Sequence, residues 1–312
     1  AAAGNDLLFD ESSCEQGKNF CNKLWNAFKL VKGWEIDETI PQPESAKVGI
    51  EWFNAQFNQT LATIEDHYSK YRLSDALMDT YKLIWDDFCS SYLEIVKPAY
   101  QKPIDKTTYE KTVANFERLL TVLHPFMPFV TEELWQNLAI RKDGESLMMS
   151  NFPKATETDN SLIDEFNFAL QVVTEIRTIR KQKNIPNKDQ VELFVKTNQE
   201  TNKRFDAVII KLTNLSALNY TPEKMDNAFS FVVKSNEYYI PISENVDVEA
   251  ERVKIQKELE YTLGFLKSVN GKLANEKFVN NAPEQVLAIE RKKQAEAEAK
   301  IKVLEEQLHN LV

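Results

Sequence analysis

Apolar residues at steps of three and four run through most of this chain, and that spacing commits it to helices packed on one another. Between Glu11 and Gly33, the residues Cys14, Phe20, Cys21, Leu24, Trp25, Phe28 and Val31 keep the period. A helix turning every ~3.6 residues carries them as one stripe, and Gly33 is placed to end it. Ser45 to Tyr71 repeats the pattern with Val48, Trp52, Phe53, Phe57, Leu61 and Ile64. Ser74 reads as the cap of a third helix and Pro98 as its end. That helix carries Leu77, Tyr81, Ile84, Trp85, Phe88, Tyr92 and Val96, a face wide enough for the middle of a bundle. Thr107 to Leu123 forms another helix, broken at Pro125 and Pro128 and resumed from Thr131, whose Thr131-Glu132-Glu133-Leu134 reads as a start. Gly144 to Pro153 reads as a loop crossing.

After residue 160 the period changes. Asp164 to Asn184 is one more helix, with Phe168, Val172, Ile176 and Ile179 on one face. Gln190 to Lys196 alternates as a strand does. A helix over Gln199 to Leu212, a strand over Leu215 to Tyr220 and a hairpin built from Phe229–Lys234 and Tyr238–Ile240 complete a small α+β module. The tail returns to heptad-like spacing. Val248, Arg252, Ile255, Leu259, Leu263, Leu266, Asn270 and Leu273 form one series; Val286, Ile289, Lys293, Ala297, Ile301, Leu304, Leu308 and Leu311 form the second. With the break at Asn275 to Pro283, this predicts an antiparallel coiled-coil hairpin, each helix about 40 Å long at ~1.5 Å per residue. The expected fold is therefore mainly α: a helical bundle over 1–160, a small α+β module over 161–245 and a coiled-coil arm over 246–312.

The 312 residues carry 38 basic and 48 acidic side chains, a net charge of −10. Taken whole, that excludes a general basic coat for nucleic acid. Taken by region it does not, because residues 1–160 hold 16 basic and 25 acidic residues while 161–245 hold 11 of each and 246–312 hold 11 and 12. The acidity sits in the bundle, and local basic faces remain open. No apolar run approaches the ~20 residues of a membrane span, and no opening stretch reads as a secretion signal. Three cysteines, Cys14, Cys21 and Cys89, do not make a disulfide framework, and His67, His124 and His309 lack zinc-site spacing. A reducing, cytoplasmic setting follows. The start at Ala1-Ala2-Ala3, without Met, reads as a piece of something longer.

The sequence contains no phosphate-cradling glycine loop, no Gly-x-Ser-x-Gly elbow and no His-Glu-x-x-His. Asp86-Asp87 and Glu132-Glu133 are adjacent helix residues that point in different directions. No catalytic residue, cofactor site or metal site is expected, and the chain reads as a binding or structural region. Two basic clusters stand out: Arg177, Arg180, Lys181, Lys183 and Lys188, and then Arg291, Lys292 and Lys293 with Lys300 and Lys302. Each is either a solvated face or a set of phosphate contacts.

Four motifs carry a family resemblance. Cys14-Glu15-Gln16-Gly17-Lys18-Asn19-Phe20-Cys21-Asn22-Lys23-Leu24-Trp25-Asn26-Ala27 resembles the opening of the anticodon-binding domain of bacterial valyl-tRNA synthetases. Tyr81-x-x-Ile84-Trp85-Asp86-Asp87-Phe88-Cys89-x-x-Tyr92-Leu93-Glu94-x-x-Lys97-Pro98 and Leu123-His124-Pro125-Phe126-Met127-Pro128-Phe129-x-Thr131-Glu132-Glu133-Leu134-Trp135 resemble the same domain, and are shared with the isoleucyl and leucyl enzymes. Lys272-Leu273-Ala274-Asn275-Glu276-Lys277-Phe278-Val279-x-x-Ala282-Pro283-x-x-Val286 resembles the valyl family's arm, and no cysteine zinc module follows Cys89.

The resemblance implies a class I parent that attaches valine to its tRNA with ATP and magnesium. The catalytic and editing domains would lie upstream, since the two class I signatures are absent here. This piece would hold valine tRNA, as a monomer with no membrane partner: the bundle at the anticodon, the arm at the tRNA elbow. Lys23 matches a position that contacts the anticodon loop in the family, with Lys18 and Asn22 as companions. Arg291, Lys292 and Lys293 are the expected contacts of the arm. Where the family can offer an aromatic ring for stacking, this chain has Lys29-Leu30; a leucine cannot stack as a ring does, and Phe28 would replace it only if the helix rotates. The same region of an isoleucyl or leucyl enzyme, and a coiled-coil scaffold without RNA, are the alternatives.

Overall fold

A computed structural model describes residues 9–196, 203–241, 248–274 and ten positions between 287 and 304. They form two compact units, one drawn from 1–177 and 202–214, the other from 178–201 and 215–312.

The first unit is a helical bundle. Helix α1 (Glu11–Lys32) starts where the Asp10 carboxylate accepts the backbone N–H groups of Ser12 and Ser13, and ends where the Gly33 N–H reaches the Lys29 carbonyl at 3.0 Å. Its stripe Phe20, Leu24, Ala27 and Val31 is buried. Helix α2 (Glu44–Ser69) is the central element and buries Trp52, Phe53, Phe57, Leu61 and Ile64. The third predicted helix is not uniform. It runs as α3 (Leu73–Lys82), widens into a π-helical segment over Leu83–Tyr92, and closes as α4 (Leu93–Val96) before Pro98. Within the wide turn the Ser90 hydroxyl donates to the Trp85 carbonyl at 2.7 Å. Ser74 does not cap α3: the cap position is Arg72, with no side-chain bond.

Helices α5 (Lys106–Leu123) and α6 (Pro128–Leu138) follow. The second starts at Pro128, whose fixed φ suits a first turn, so Thr131 lies inside it and donates to the Met127 carbonyl at 2.8 Å. Phe53, Phe88, Tyr92 and Phe116 form one aromatic core, with the Phe53 and Tyr92 ring centres 4.7 Å apart and those of Phe88 and Phe116 5.1 Å apart. Arg118 ties α5 to α2 by lying 3.8 Å over the Phe57 ring and donating to Asn54 and Asn58. Helix α7 (Asn160–Gln182) joins the unit by stacking Phe166 on Trp52 at 3.6 Å, and α8 (Asp206–Thr213) is preceded by Phe205, 5.4 Å from Phe166.

Helices α2 and α4 touch at Gly49, where an added Cβ would stand 2.6 Å from Ile95 Cγ2. Ile95 is fully buried. Helix propensity alone would favour Gly49→Ala by about 1 kcal/mol. Overpacking costs about 1–3 kcal/mol, so a net loss of stability is expected in urea unfolding. A gain would show that the two helices separate freely.

The second unit contains a four-stranded sheet in the order β4-β3-β6-β5, from β3 (Val191–Lys196), β4 (Leu215–Thr221), β5 (Ala228–Val233) and β6 (Asn236–Pro241). Strands β3 and β4 are parallel and the other pairs antiparallel. The predicted hairpin is β5–β6, turned by Lys234 and Ser235 with Lys234 at φ +52°. Residues 197–202, the start of the expected Gln199 helix, lie outside the described residues.

The tail begins as α9 (Val248–Leu273). Thr262 and Val269 are buried there, whereas Leu263 is 44% exposed and Asn270 is exposed. The buried positions between the leucines are therefore Thr262 and Val269, and not the expected Leu263 and Asn270. Leu259, Leu266 and Leu273 fit a heptad with either intervening pair, and period alone cannot separate steps of 3,4 from steps of 4,3. In the second series Ala297, Ile301 and Leu304 are buried, but Glu290 takes the inner place expected of Ile289. The break at 275–283 lies outside the described residues. No helix among the described residues is long and apolar enough to cross a membrane.

Candidate nucleic-acid interface

Helix α1 presents the residues expected at the anticodon. Lys18 and Asn22, one turn apart, are exposed. Lys23 is half-buried, its ammonium 4.1 Å from the Trp85 ring centre and donating to Ser90 Oγ at 2.8 Å. Behind it Phe20, Tyr81 and Trp85 form an aromatic shelf, with Tyr81 and Trp85 stacked at 5.6 Å. Lys23 is thus held in place by the π-helical segment, with donor capacity left for a ligand, since an ammonium has three N–H groups.

Within this segment Asp87 is pushed up to about 7, first by burial and then by the neighbouring Asp86 charge, against a hydrogen bond from Gln56. Burial also pushes the Cys89 thiol up to about 12, with Lys23 opposing. The adjacent carboxylates do differ in exposure, Asp86 exposed and Asp87 half-buried, and the charge of one raises the other.

At the C-terminal end of α1 the chain builds a cleft of about 480 Å³, lined by Leu30, Trp34, Lys97, Tyr100 and Lys102 among others. Two-residue strands position it. Strand β1 (Ile36–Asp37) pairs in parallel with β2 (Ile104–Asp105), and the Ile104 N–H donates to the Glu35 carbonyl at 2.8 Å. This clamps the 97–103 loop against the end of α1. Within the loop Gln101 takes φ +58°, a left-handed conformation that ordinary residues adopt at a cost, and the Lys102 N–H closes on the Ala99 carbonyl at 3.0 Å. The result holds Tyr100 89% exposed.

Lys97 pairs with Glu94 at 2.6 Å. Near it, burial and the Lys97 charge push Lys211 down to about 8, against Glu94 and Asp105. Trp34 and Tyr100 line the same cleft as Lys97 and Lys102, and ring faces beside ammonium groups are the chemistry that takes an unpaired base and its phosphate. Leu30, 40% exposed, lines the same cleft. Phe28 is instead engaged with Trp25, ring centres 5.6 Å apart.

Sequence reasoning missed Trp34 and Tyr100. Their signals were local, a tryptophan directly after the helix-ending Gly33 and a tyrosine between Pro98 and Pro103.

The middle basic cluster is partly structural. Arg180 is 2% exposed and donates to the Pro186 and Asp189 carbonyls at 3.0 and 2.9 Å. Lys183 lies 5.0 Å from the Phe229 ring centre, and Arg177 donates to the Leu212 carbonyl at 3.1 Å. On the arm, Arg291 is exposed, while Lys293 donates to Glu290 at 2.7 Å. Lys292 lies outside the described residues.

A family model described as the anticodon-binding domain of tRNA ligase matches residues 51–195, from α2 through to β3. A second, described as the valyl tRNA synthetase tRNA binding arm, matches residues 247–312. The chain is 56% identical over 309 residues to Valine--tRNA ligase of Christiangramia forsetii, covering 99% of this chain and 35% of that protein. It is 53% identical over 308 residues to Valine--tRNA ligase of Parabacteroides distasonis, covering 99% and 35%. The enzyme of the same name from Listeria innocua is 34% identical over 326 residues, covering 98% and 36%. The chain belongs to the valyl-tRNA synthetase family, as its motifs implied, and spans about a third of the length of these relatives.

Proposed function

We infer that this chain is the tRNA-holding part of a valine–tRNA ligase. The parent joins valine to its tRNA in the cytoplasm. ATP and magnesium would serve that step in the parent's catalytic region, and no part of the step is assigned to residues of this chain. The chain acts as three functional segments, 1–160 at the anticodon, 161–245 between, and 246–312 at the tRNA elbow, within a monomer. Lys18, Asn22 and Lys23 meet the anticodon loop. Arg291, Lys292 and Lys293 serve the arm.

The cleft at the end of α1 carries this reading, because it supplies the ring faces that Leu30 lacks beside a helix that presents lysines. An unpaired anticodon-loop base enters between Trp34 and Tyr100, and Lys102 meets its phosphate.

The test is binding of an anticodon stem-loop of valine tRNA to the full chain at low salt. Binding should weaken steadily as salt rises. The Trp34→Ala/Tyr100→Ala variant should bind about 5- to 150-fold more weakly, the factor equivalent to ~1–3 kcal/mol per stacked base. Trp34→Phe and Tyr100→Phe, which keep a ring, should retain most of the affinity. Unchanged binding by the alanine variant would remove the base from the cleft.

A further inference from the structure

The two ends of the helical bundle differ in chemistry. Helices α2 and α5 run side by side in one direction: Gln42 donates to Thr108 at 3.2 Å where they start, and the Tyr68 and Phe126 rings stack at 6.3 Å where they finish. Helix α3 turns back from that second end, with His67 3.1 Å from Asp79. Helix α1 runs with α3, because Phe20 lies against Tyr81, and Lys23, one turn on, reaches Trp85 and Ser90. The starts of α1, α3 and α6 therefore share the end where α2 and α5 finish. The 147–152 segment returns to it, since the Leu147 N–H donates to Glu132 at 2.9 Å and the Phe152 ring lies 6.0 Å from that of Tyr68. The cleft of Trp34 and Tyr100 is at the opposite end, about 40 Å away along the 26 residues of α2.

The end away from the cleft is apolar. Tyr71, Leu73, Met78, Phe129, Met148 and Met149 stand there between 50% and 90% exposed. Single exposed apolar residues are ordinary, but a group of them gathered at one end marks a contact surface. Tyr71 is held outward at φ +57°, a conformation that costs a tyrosine energy, in a turn closed by the Arg72 N–H on the His67 carbonyl at 2.9 Å. RNA fits this end poorly. Its phosphates need cations, whereas Lys70, next to Tyr71, is paired with Asp66 at 2.7 Å, and Asp75 is exposed beside Leu73.

We propose that this apolar end of the bundle is the docking face for the remainder of the parent chain, the part that holds its catalytic region. The proposal rests on the reading of this chain as one part of a valine–tRNA ligase. Two observations choose the occupant. The chain spans about a third of the length of its relatives, so most of such a parent lies outside it. Helix α1 is the first of the chain and starts at the apolar end, so whatever is joined ahead of it is joined there. The bundle then acts as a strut, seated on the catalytic part at one end and presenting the base cleft at the other.

The experiment oxidises methionine thioethers with dilute hydrogen peroxide and follows each one by peptide mass spectrometry, in this chain and in the full-length parent. Met78, Met148 and Met149 are expected to oxidise about tenfold more slowly in the parent, because oxidation follows exposure. Met225, half-buried in the second unit, serves as the reference and should keep one rate in both. In the parent, Phe129→Asp/Met149→Asp should restore fast oxidation of Met148. In this chain the same variant should leave the urea midpoint read by tryptophan fluorescence unchanged. Equal rates for Met148 in chain and parent overturn the proposal. Slow oxidation in this chain by itself also overturns it, since the end would then be covered within the chain. Slowing by added valine tRNA would make the end an RNA contact, and slowing at raised chain concentration would make it a contact between copies; either result overturns the proposal. A parent that fails to charge valine tRNA would remove the functional reading, whereas a failed oxidation comparison leaves that reading standing.

Discussion

Phe53→Ala is expected to destabilise the helical unit by about 3–5 kcal/mol, the range for deleting a buried phenyl ring. Phe53 is fully buried, and its ring lies 4.7 to 6.4 Å from those of Trp52, Phe57, Phe88 and Tyr92. Removing it leaves a cavity bounded by two helices and the π-helical segment, and large rigid rings collapse poorly into such a space. All five tryptophans, Trp25, Trp34, Trp52, Trp85 and Trp135, belong to this unit. Their fluorescence in urea therefore reports its unfolding without contribution from the sheet or the arm. With a urea slope of about 2 kcal/mol/M, the midpoint should fall by roughly 1.5–2.5 M. A fall under about 0.5 M would mean that the neighbouring rings refill the site. Because the π-helical segment positions Trp85 and Ser90, the variant should also loosen Lys23, and stem-loop affinity should fall before the unit unfolds.

The helical layout was legible wherever a stripe is long and wide. In α1, α2 and α5 the apolar spacing gave ends within a residue or two of those observed, because burial, and not local propensity, decides such helices. Three kinds of feature were not legible. The π-helical widening at 83–92 keeps an α-like apolar pattern, and its mark is a Ser90 hydroxyl bonding back to the Trp85 carbonyl, a contact that exists only in the folded chain. Helix starts at α3 and α6 were misread because Ser74 and Thr131 have the chemistry of caps while lying inside their helices. The phase of α9 was ambiguous, since leucines on one side of the seam fix the period without fixing its partner positions.

At the candidate site, α1 was read from its motif, as were Lys18, Asn22 and Lys23. The cleft was not, because Trp34 and Tyr100 are 66 positions apart in sequence and meet only through two-residue strands far below the length at which alternation can be read. Charge followed the same rule. Arg180 belongs to a basic run in the sequence but is consumed by loop carbonyls in the fold.

Asp87→Asn is expected to stabilise the protein above neutral pH and to change little near pH 4. In the folded chain Asp87 holds its proton up to about pH 7, chiefly because ionising it would leave a charge in a buried site and secondly because Asp86 carries the same charge. In the unfolded chain it releases that proton near the usual 3.8. Between those two values the folded state binds the extra proton, so stability falls as pH rises through the window, and the loss is complete above about 7. Below 3.8 both states are protonated and the group contributes nothing. A shift of this size corresponds to a contribution on the order of 4 kcal/mol at pH 8. The asparagine side chain keeps the shape and a partner for Gln56 but cannot ionise, so it escapes the loss. Urea midpoints read by tryptophan fluorescence at pH 4, 6 and 8 should therefore diverge, the variant gaining on the wild type at each step. A variant less stable than the wild type at pH 8 would show that the carboxylate is ionised and held by a cation. Asp87 would then be part of the charge arrangement around Lys23, and not a carboxyl kept neutral beside it.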